Sequence, residues 1–245
     1  QRKLKFRGGD CAQATMPIDQ AVNNVRARLL NGGDVWWDGN SNGRYIVPKV
    51  PPGEPEISSI FAGAVWIGGL DPAGSLKVAA QSYGTSQGQT DFWPGPLNQF
   101  DGTTDRRTCS DWDKFFKVTA TEIDEHLRLL RSAQDGEIVY TPDLIPAGVK
   151  GWPAQGNPHF IDEHNFELPR TGQGLAGYYD ENRDGIYDPL DGDYPIIEIR
   201  GCTDWEGGEV VNGCERYFEP GGDKPQYPNE MIFWIYNDAG GIHTE

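Results

Sequence analysis

Apolar residues along this chain come in short bursts separated by polar, glycine-rich turns, and few bursts hold a helical period for long. Val35-Trp36-Trp37 and Tyr45-Ile46-Val47 read as short strands on either side of the polar turn Asp38-Gly39-Asn40-Ser41-Asn42-Gly43, which also has the oxygens to attract a cation. The most apolar run, Ser59 to Ile67, is followed by Gly68-Gly69, the turn Asp71-Pro72-Ala73-Gly74 and a second strand from Leu76 to Tyr83. This pattern predicts a buried β-hairpin, and Ala62, Gly63 and Ala64 are small enough to let another layer approach closely. Glu230 to Tyr236 predicts a strand closed by the turn Asn237-Asp238-Ala239-Gly240, and an end at Glu245, soon after such a turn, suggests a piece of something longer.

Helical signals are fewer. Ile18 to Leu30 reads as a short helical or mixed segment stopped by Asn31-Gly32-Gly33. A stronger helix begins where Thr119 and Glu122 have capping-box spacing; Ile123, Leu127 and Leu130 then share a face, His126 lies beside them as a packed or surface histidine, and Asp135-Gly136 ends the run. Asp91-Phe92-Trp93-Pro94-Gly95-Pro96 is too proline-rich for a central strand and predicts an ordered aromatic loop. Pro142 to Gly174 reads as loop with rigid corners at Gly151-Trp152-Pro153 and Gly156-Asn157-Pro158. Together these elements predict a mainly β, β-sandwich-like, loop-rich fold with long ordered loops and one or two short helices. One continuous domain is expected over residues 1–245, with an extended arm over residues 1–17.

Composition agrees with that picture. The 32 glycines and 18 prolines make up about a fifth of the 245 residues, well above the usual share of roughly 12%. Eight tryptophans and ten tyrosines bring the apolar area that a disordered chain lacks. A formal charge of −16 argues against nucleic-acid binding, which rests on neutralising phosphates with clustered Lys and Arg. Arg2, Lys3, Lys5 and Arg7 are the exception, a short basic arm that is solvated or docks on an acidic neighbour. No run of about 20 apolar residues is present to span a membrane, and any export signal is expected to have been removed before Gln1.

Cys11, Cys109, Cys202 and Cys214 allow three disulfide connectivities. Spacing favours Cys202 with Cys214, which bracket a glycine-rich excursion, and this leaves Cys11 with Cys109. A zinc site competes, but there is no Cys-x-x-Cys pair and the four histidines are scattered. Disulfides imply an oxidising setting outside the cytoplasm.

The most specific chemistry lies within residues 175–195. From Asp180, oxygen-bearing side chains fall at the first, third, fifth, ninth and twelfth places of a loop: Asp180, Asn182, Asp184, Asp188 and Asp191. Gly185 holds the sixth place, where such a loop turns sharply, and Ile186 would give its backbone carbonyl at the seventh. Hard oxygen donors on alternate residues of a tight loop are what Ca²⁺ requires. The twelfth residue is Asp rather than Glu, and Pro189 opposes a following helix, so the expectation is a dockerin- or thrombospondin-repeat-like loop joining strands or irregular segments. The competing reading is an Asp/Gly-rich surface turn.

Trp36, Trp37, Trp93 and Trp152, with abundant acids, suggest stacking on sugar rings, while aromatic clusters more often plug a core. Glycan cleavage would need two carboxyl groups across a cleft, which sequence does not reveal. His159, Asp162, Glu163 and His164 gather without any metal-hydrolase motif. An enzymatic role is therefore the weaker expectation.

Several phrases resemble the N-terminal region of large secreted surface proteins of Bacteroidota that carry a C-terminal sorting domain for type IX secretion. They are Asn23 to Trp37, Phe61 to Gly69, Leu76 to Gln81, Asp91 to Pro96, Asp184 to Pro189 and Phe233 to Asp238. The resemblance spans most of the chain and implies export and display at the cell surface, without a reaction or catalytic residues to carry over. The sorting domain itself is not among these residues. Three functions follow as expectations. The first is a calcium-stabilised, disulfide-bonded structural or adhesive protein, self-associating or meeting other surface proteins. The second is a carbohydrate-binding or glycan-cleaving module. The third is a substrate or accessory component bound to the secretion machinery.

Overall fold

The structure is a computed structural model that describes residues 11–80, 91–169, 175–197 and 227–239. The basic arm and the Cys202–Cys214 pair lie outside these residues. Two compact units divide the chain, one built from residues up to Phe115 together with those from Trp234 onward, the other from Phe116–Phe233.

In the first unit, β1 (Pro17–Gln20) and β2 (Arg26–Leu30) form an antiparallel hairpin with Pro17 opposite Leu30. The helical or mixed segment expected over Ile18–Leu30 is thus two strands. The turn between them contains Asn23, whose carboxamide accepts the Val25 N–H, and β2 is drawn into pairing on both sides. Next come β3 (Asp34–Val35), β4 (Tyr45–Ile46), β5 (Ser58–Ile60) and β6 (Gly63–Ala64), which complete a sheet ordered β5-β4-β2-β3-β6 with β1 beside β2. β1 covers one side of β2, so β3 and β4 lie end to end along its other side, and β5 and β6, joined by Phe61-Ala62, lie end to end beyond them.

β7 (Ile67–Leu70) and β8 (Leu76–Ala79) form a hairpin with Leu70 opposite Leu76; the run Ser59–Ile67, expected to be its first strand, instead supplies most of β5 and β6, and the hairpin is not buried, since every residue of β7 is exposed. β9 (Trp93–Pro94) lies in the aromatic loop, and α1 (Arg106–Asp111) is capped by Asp105, which accepts the Thr108 N–H. Cys109 on α1 is bonded to Cys11, tying the two ends of a 98-residue separation. Beside that link, Asp113 accepts the Thr15 N–H and hydroxyl and the Met16 N–H, so residues 11–16 are fastened at two places.

The second unit opens with β10 (Phe116–Thr119), which buries Phe116 and Val118 and leaves Lys117 out. α2 (Ala120–Gln134) follows with both bonds of the capping box made and Ile123 and His126 buried. The stretch from Pro142, read as loop, contains a 3₁₀ turn and two short helices, α3 (Ala147–Lys150) and α4 (Phe160–His164). One turn of helix is too short for a hydrophobic period to show in sequence. β11 (Tyr178–Tyr179) pairs with β12 (Tyr194–Pro195), and β13 (Glu230–Phe233) pairs with β10. Phe116, Phe160, Val149, Trp152, Tyr187, Tyr194 and Ile196 are buried in this unit.

The chain then returns to the first unit, where β14 (Tyr236–Asn237) pairs with β9 and Asn237 donates to the Gly95 carbonyl at 2.8 Å. The architecture is mainly β and loop-rich, made of small antiparallel sheets with one long helix and short ones.

Candidate functional site: the acidic loop between β11 and β12

Tyr178 opposite Pro195 and Tyr179 opposite Tyr194 hold the two ends of residues 180–193 together, so the loop is strung between strands, as Pro189 and its neighbours imply. Asp180 organises the first half. One of its oxygens accepts the Arg183 N–H at 2.6 Å and the Asp184 N–H at 3.3 Å, and the other accepts the Gly185 N–H at 2.8 Å. Asn182 Oδ1 takes the Asp184 N–H, and Asp184 Oδ1 takes the Ile186 N–H. Arg183 and Gly185 both have left-handed φ, 62° and 78°. A Cβ at Gly185 would meet nothing within 4 Å, so glycine is favoured there by backbone conformation and not by space.

These turns bring side chains together. Asn182 Nδ2 lies 3.1 Å from an oxygen of Asp184 and 3.3 Å from one of Asp191, so residues at the third, fifth and twelfth places share one cluster, with Asp180 in the same turn. Asp188 is engaged differently: its Oδ1 accepts the Leu190 N–H at the start of the 3₁₀ turn Pro189–Asp191 and lies 3.4 Å from His159 Nε2. Among the described residues no three His, Cys, Asp or Glu side chains gather closely enough to hold a metal by themselves. A cation here would therefore draw on the Asn182 carboxamide and the Ile186 carbonyl as well as the carboxylates.

Three residues that the ligand spacing does not include anchor the loop. Asp193, fully buried, accepts the Glu181 N–H with one oxygen and the Asp188 N–H with the other, both at 2.9 Å, and so closes the loop across its base. Burial pushes its carboxyl up to about 6; the two backbone bonds pull the other way, and the charges of Asp180 and Asp184 push it further up. Tyr187 points inward, fully buried, and donates to the Val149 carbonyl at 2.7 Å while its own N–H bonds Gln155. His126 of α2 meets the Asp193 carbonyl. A lone tyrosine within a polar loop and an acid just past the twelfth place were the available sequence signals for two of them.

The other candidate residues lie apart from this loop. Trp37, Trp93 and Trp152 are buried, between 3% and 8% exposed, so the expectation of open rings for sugar stacking is corrected at these three positions: they are core. Trp152 Nε1 donates to the Gly177 carbonyl and Trp37 Nε1 to Asp34. Trp36 is half-buried, edge-on to Tyr45 at 5.3 Å. The Asp38 carboxylate is held well below its usual range by hydrogen bonds from Asn42, Ser41 and Asn40, and Arg44 stands 3.5 Å away. His164 meets the Gly151 carbonyl and packs against Phe116 and Phe160, and Glu163 pairs with Lys150, which gives both structural work.

No protein-family model, curated protein or solved structure matches the chain. Among the described residues, no helix is long and apolar enough to cross a membrane.

Proposed function

We propose that this chain is a calcium-stabilised, disulfide-bonded structural or adhesive protein of the extracellular surface, exported by type IX secretion. The observation that carries the reading is the loop itself. Its hard oxygens stand in calcium-loop register, Asn182 bridges Asp184 and Asp191 while Asp180 holds the backbone of the same turn, and Tyr187 and Asp193 root the loop in the core of the second unit. Bound there, Ca²⁺ would draw on oxygens of Asp180, Asn182, Asp184 and Asp191 together with the Ile186 carbonyl and would neutralise the carboxylates. The disulfide between Cys11 and Cys109 supports an oxidising location. The resemblance in sequence phrases supports export and surface display. Burial of three of the four tryptophans takes away the main support for a glycan-binding alternative.

Thermal unfolding of the non-reduced protein with Ca²⁺ and after chelation tests the reading. At about 100 times the dissociation constant, binding to the folded form alone stabilises by about 2.7 kcal/mol. The expected result is a rise in Tm that Asp180→Ala and Asp184→Ala abolish; an unchanged Tm in the wild type would overturn the calcium reading.

A further inference from the structure

We propose that Asn42 is a site of spontaneous covalent modification, its carboxamide converted through a cyclic imide with Gly43 into aspartate or isoaspartate. An asparagine followed by glycine is the pair most open to this chemistry, because no side chain shields the attacking nitrogen. The described residues hold two such pairs, Asn31-Gly32 and Asn42-Gly43, and the fold treats them in opposite ways.

Asn31 is fully buried, and its Nδ2 donates to the Trp112 carbonyl at 2.8 Å and the Lys114 carbonyl at 3.2 Å. Its carboxamide can react only when that packing opens. Asn42 is exposed, in the turn that Trp37 and Gly43 close as an isolated antiparallel bridge. The bonds of that bridge run from the Asp38 N–H to the Asn42 carbonyl and from the Arg44 N–H to the Trp36 carbonyl. The Gly43 N–H therefore points away from Trp37, and among the described residues it meets no acceptor. Asn42 Oδ1, where negative charge gathers during attack, likewise meets no donor among them, while Nδ2 donates to Asp38 at 2.8 Å and to Ser41 at 3.2 Å. A Cβ at Gly43 would come within 2.7 Å of the Ser58 hydroxyl and 3.0 Å of the Ile60 carbonyl, so packing against β5 requires glycine here. The same requirement keeps the attacking nitrogen bare.

In the first step the Gly43 nitrogen gives its proton to solvent and bonds to Asn42 Cγ; the Cγ–Nδ2 bond breaks, and ammonia leaves with a proton taken from water. Water then opens the imide at one of its two carbonyls, giving aspartate or, with the main chain rerouted through Cγ, isoaspartate. Nothing is oxidised or reduced. The product changes the turn. Asp38 accepts the N–H groups of Asn40, Ser41 and Asn42 as well as Asn42 Nδ2, and Arg44 lies 3.5 Å from its Oδ2 and 3.9 Å from Glu56. A carboxylate at position 42 replaces a donor to Asp38 by a like charge and competes for Arg44, just where the chain enters β4.

The inference goes beyond the calcium reading and does not depend on it. Trypsin cleavage after Arg28 and Arg44 releases residues 29–44, so a single peptide carries both asparagines and fragmentation assigns the mass gain to either. The non-reduced protein is incubated for weeks in neutral and mildly alkaline buffer, folded and in urea, and compared with unincubated protein. Asn31 waits for local opening, so in the folded protein Asn42 should convert about tenfold or more faster, the factor supplied by each step of about 1.4 kcal/mol in opening cost. In urea the two should convert at similar rates, and Asn42→Asp, standing for one product, should lower Tm. Conversion of Asn42 in urea alone, or equal rates at Asn31 and Asn42 in the folded protein, overturns the proposed site. A Tm for Asn42→Asp at or above that of the wild type overturns the effect on the turn.

Discussion

His126 Nε2 lies 3.0 Å from the main-chain carbonyl of Asp193, which fastens the buried face of α2 to the end of the acidic loop. A carbonyl only accepts, so Nε2 carries the proton, and Nδ1 is left to accept the Tyr140 hydroxyl at 2.8 Å. His126→Ala would open a cavity and strand both partners. The expected loss is about 3 kcal/mol by urea unfolding, with weaker calcium binding as the loop end is released; a loss under about 1 kcal/mol would show that the bond is incidental.

Asp193 predicts a pH effect. Burial raises its carboxyl from 3.8 to about 6, so the folded protein holds this proton more tightly than the unfolded chain. Its contribution is full below the unfolded value, is lost as pH rises through about 6, and is flat above. Without calcium, the wild type should lose on the order of 2 kcal/mol across that window relative to Asp193→Asn. The readout is the difference in slope, because the variant also weakens a hydrogen bond at every pH. Calcium should flatten the wild-type slope, since a cation favours the ionised form. Parallel slopes for the two proteins would contradict the prediction.

Cys11 and Cys109 stand 98 residues apart in sequence. In the chain-entropy model a loop of about 100 residues gives a disulfide roughly 4.7 kcal/mol of stabilisation. The double variant Cys11→Ser, Cys109→Ser should be destabilised by several kcal/mol in denaturant titration, while Asp113 keeps residues 15 and 16 in place. A change below about 1 kcal/mol would mean that the link constrains the unfolded chain far less than its span implies.

Gly63 and Gly69 make a matched pair. A Cβ at Gly63 would come within 2.7 Å of the Trp36 ring and 3.3 Å of a Val35 methyl, so the indole would have to shift. Gly63→Ala should cost about 1–3 kcal/mol. Gly69→Ala has open space and should change stability by less than about 0.5 kcal/mol. Both are read by denaturant unfolding; equal effects would refute the crowding at Gly63.

Local signals explain which parts were legible in the sequence. The Thr119–Glu122 capping box is a contact between near neighbours, and both of its bonds are present. The turn around Gly185 and the strands flanking it follow from glycine, proline and alternation nearby. Ile18–Leu30 misled because a short apolar spacing with a polar interruption fits either a mixed helix or a hairpin, and the choice was made by β3 and β4, which pair with β2 from later in the chain. The turn at Asp71–Gly74 and the strand after it were legible, whereas the first strand's place and the hairpin's exposure were not: Ser58–Ala64 is drawn into pairing with β4 and β3, and apolarity does not say which surface finds a neighbour. In the acidic loop the candidate ligands were visible through spacing. Asp193, Tyr187 and His126 were not, because their roles depend on Val149, Glu181 and Tyr140 meeting them in space.

The closing strand of the first unit, β14, is separated from the rest of that unit by the whole of Phe116–Phe233. At about 5–20 residues per second of synthesis, roughly 6–24 s pass between the appearance of Phe116 and that of Tyr236. Through that interval Phe92 has no Tyr236 ring at 5.1 Å and the Gly95 carbonyl has no Asn237 amide. The half that is made first is therefore finished last, and a chain interrupted anywhere within the second unit leaves the first one open along β9.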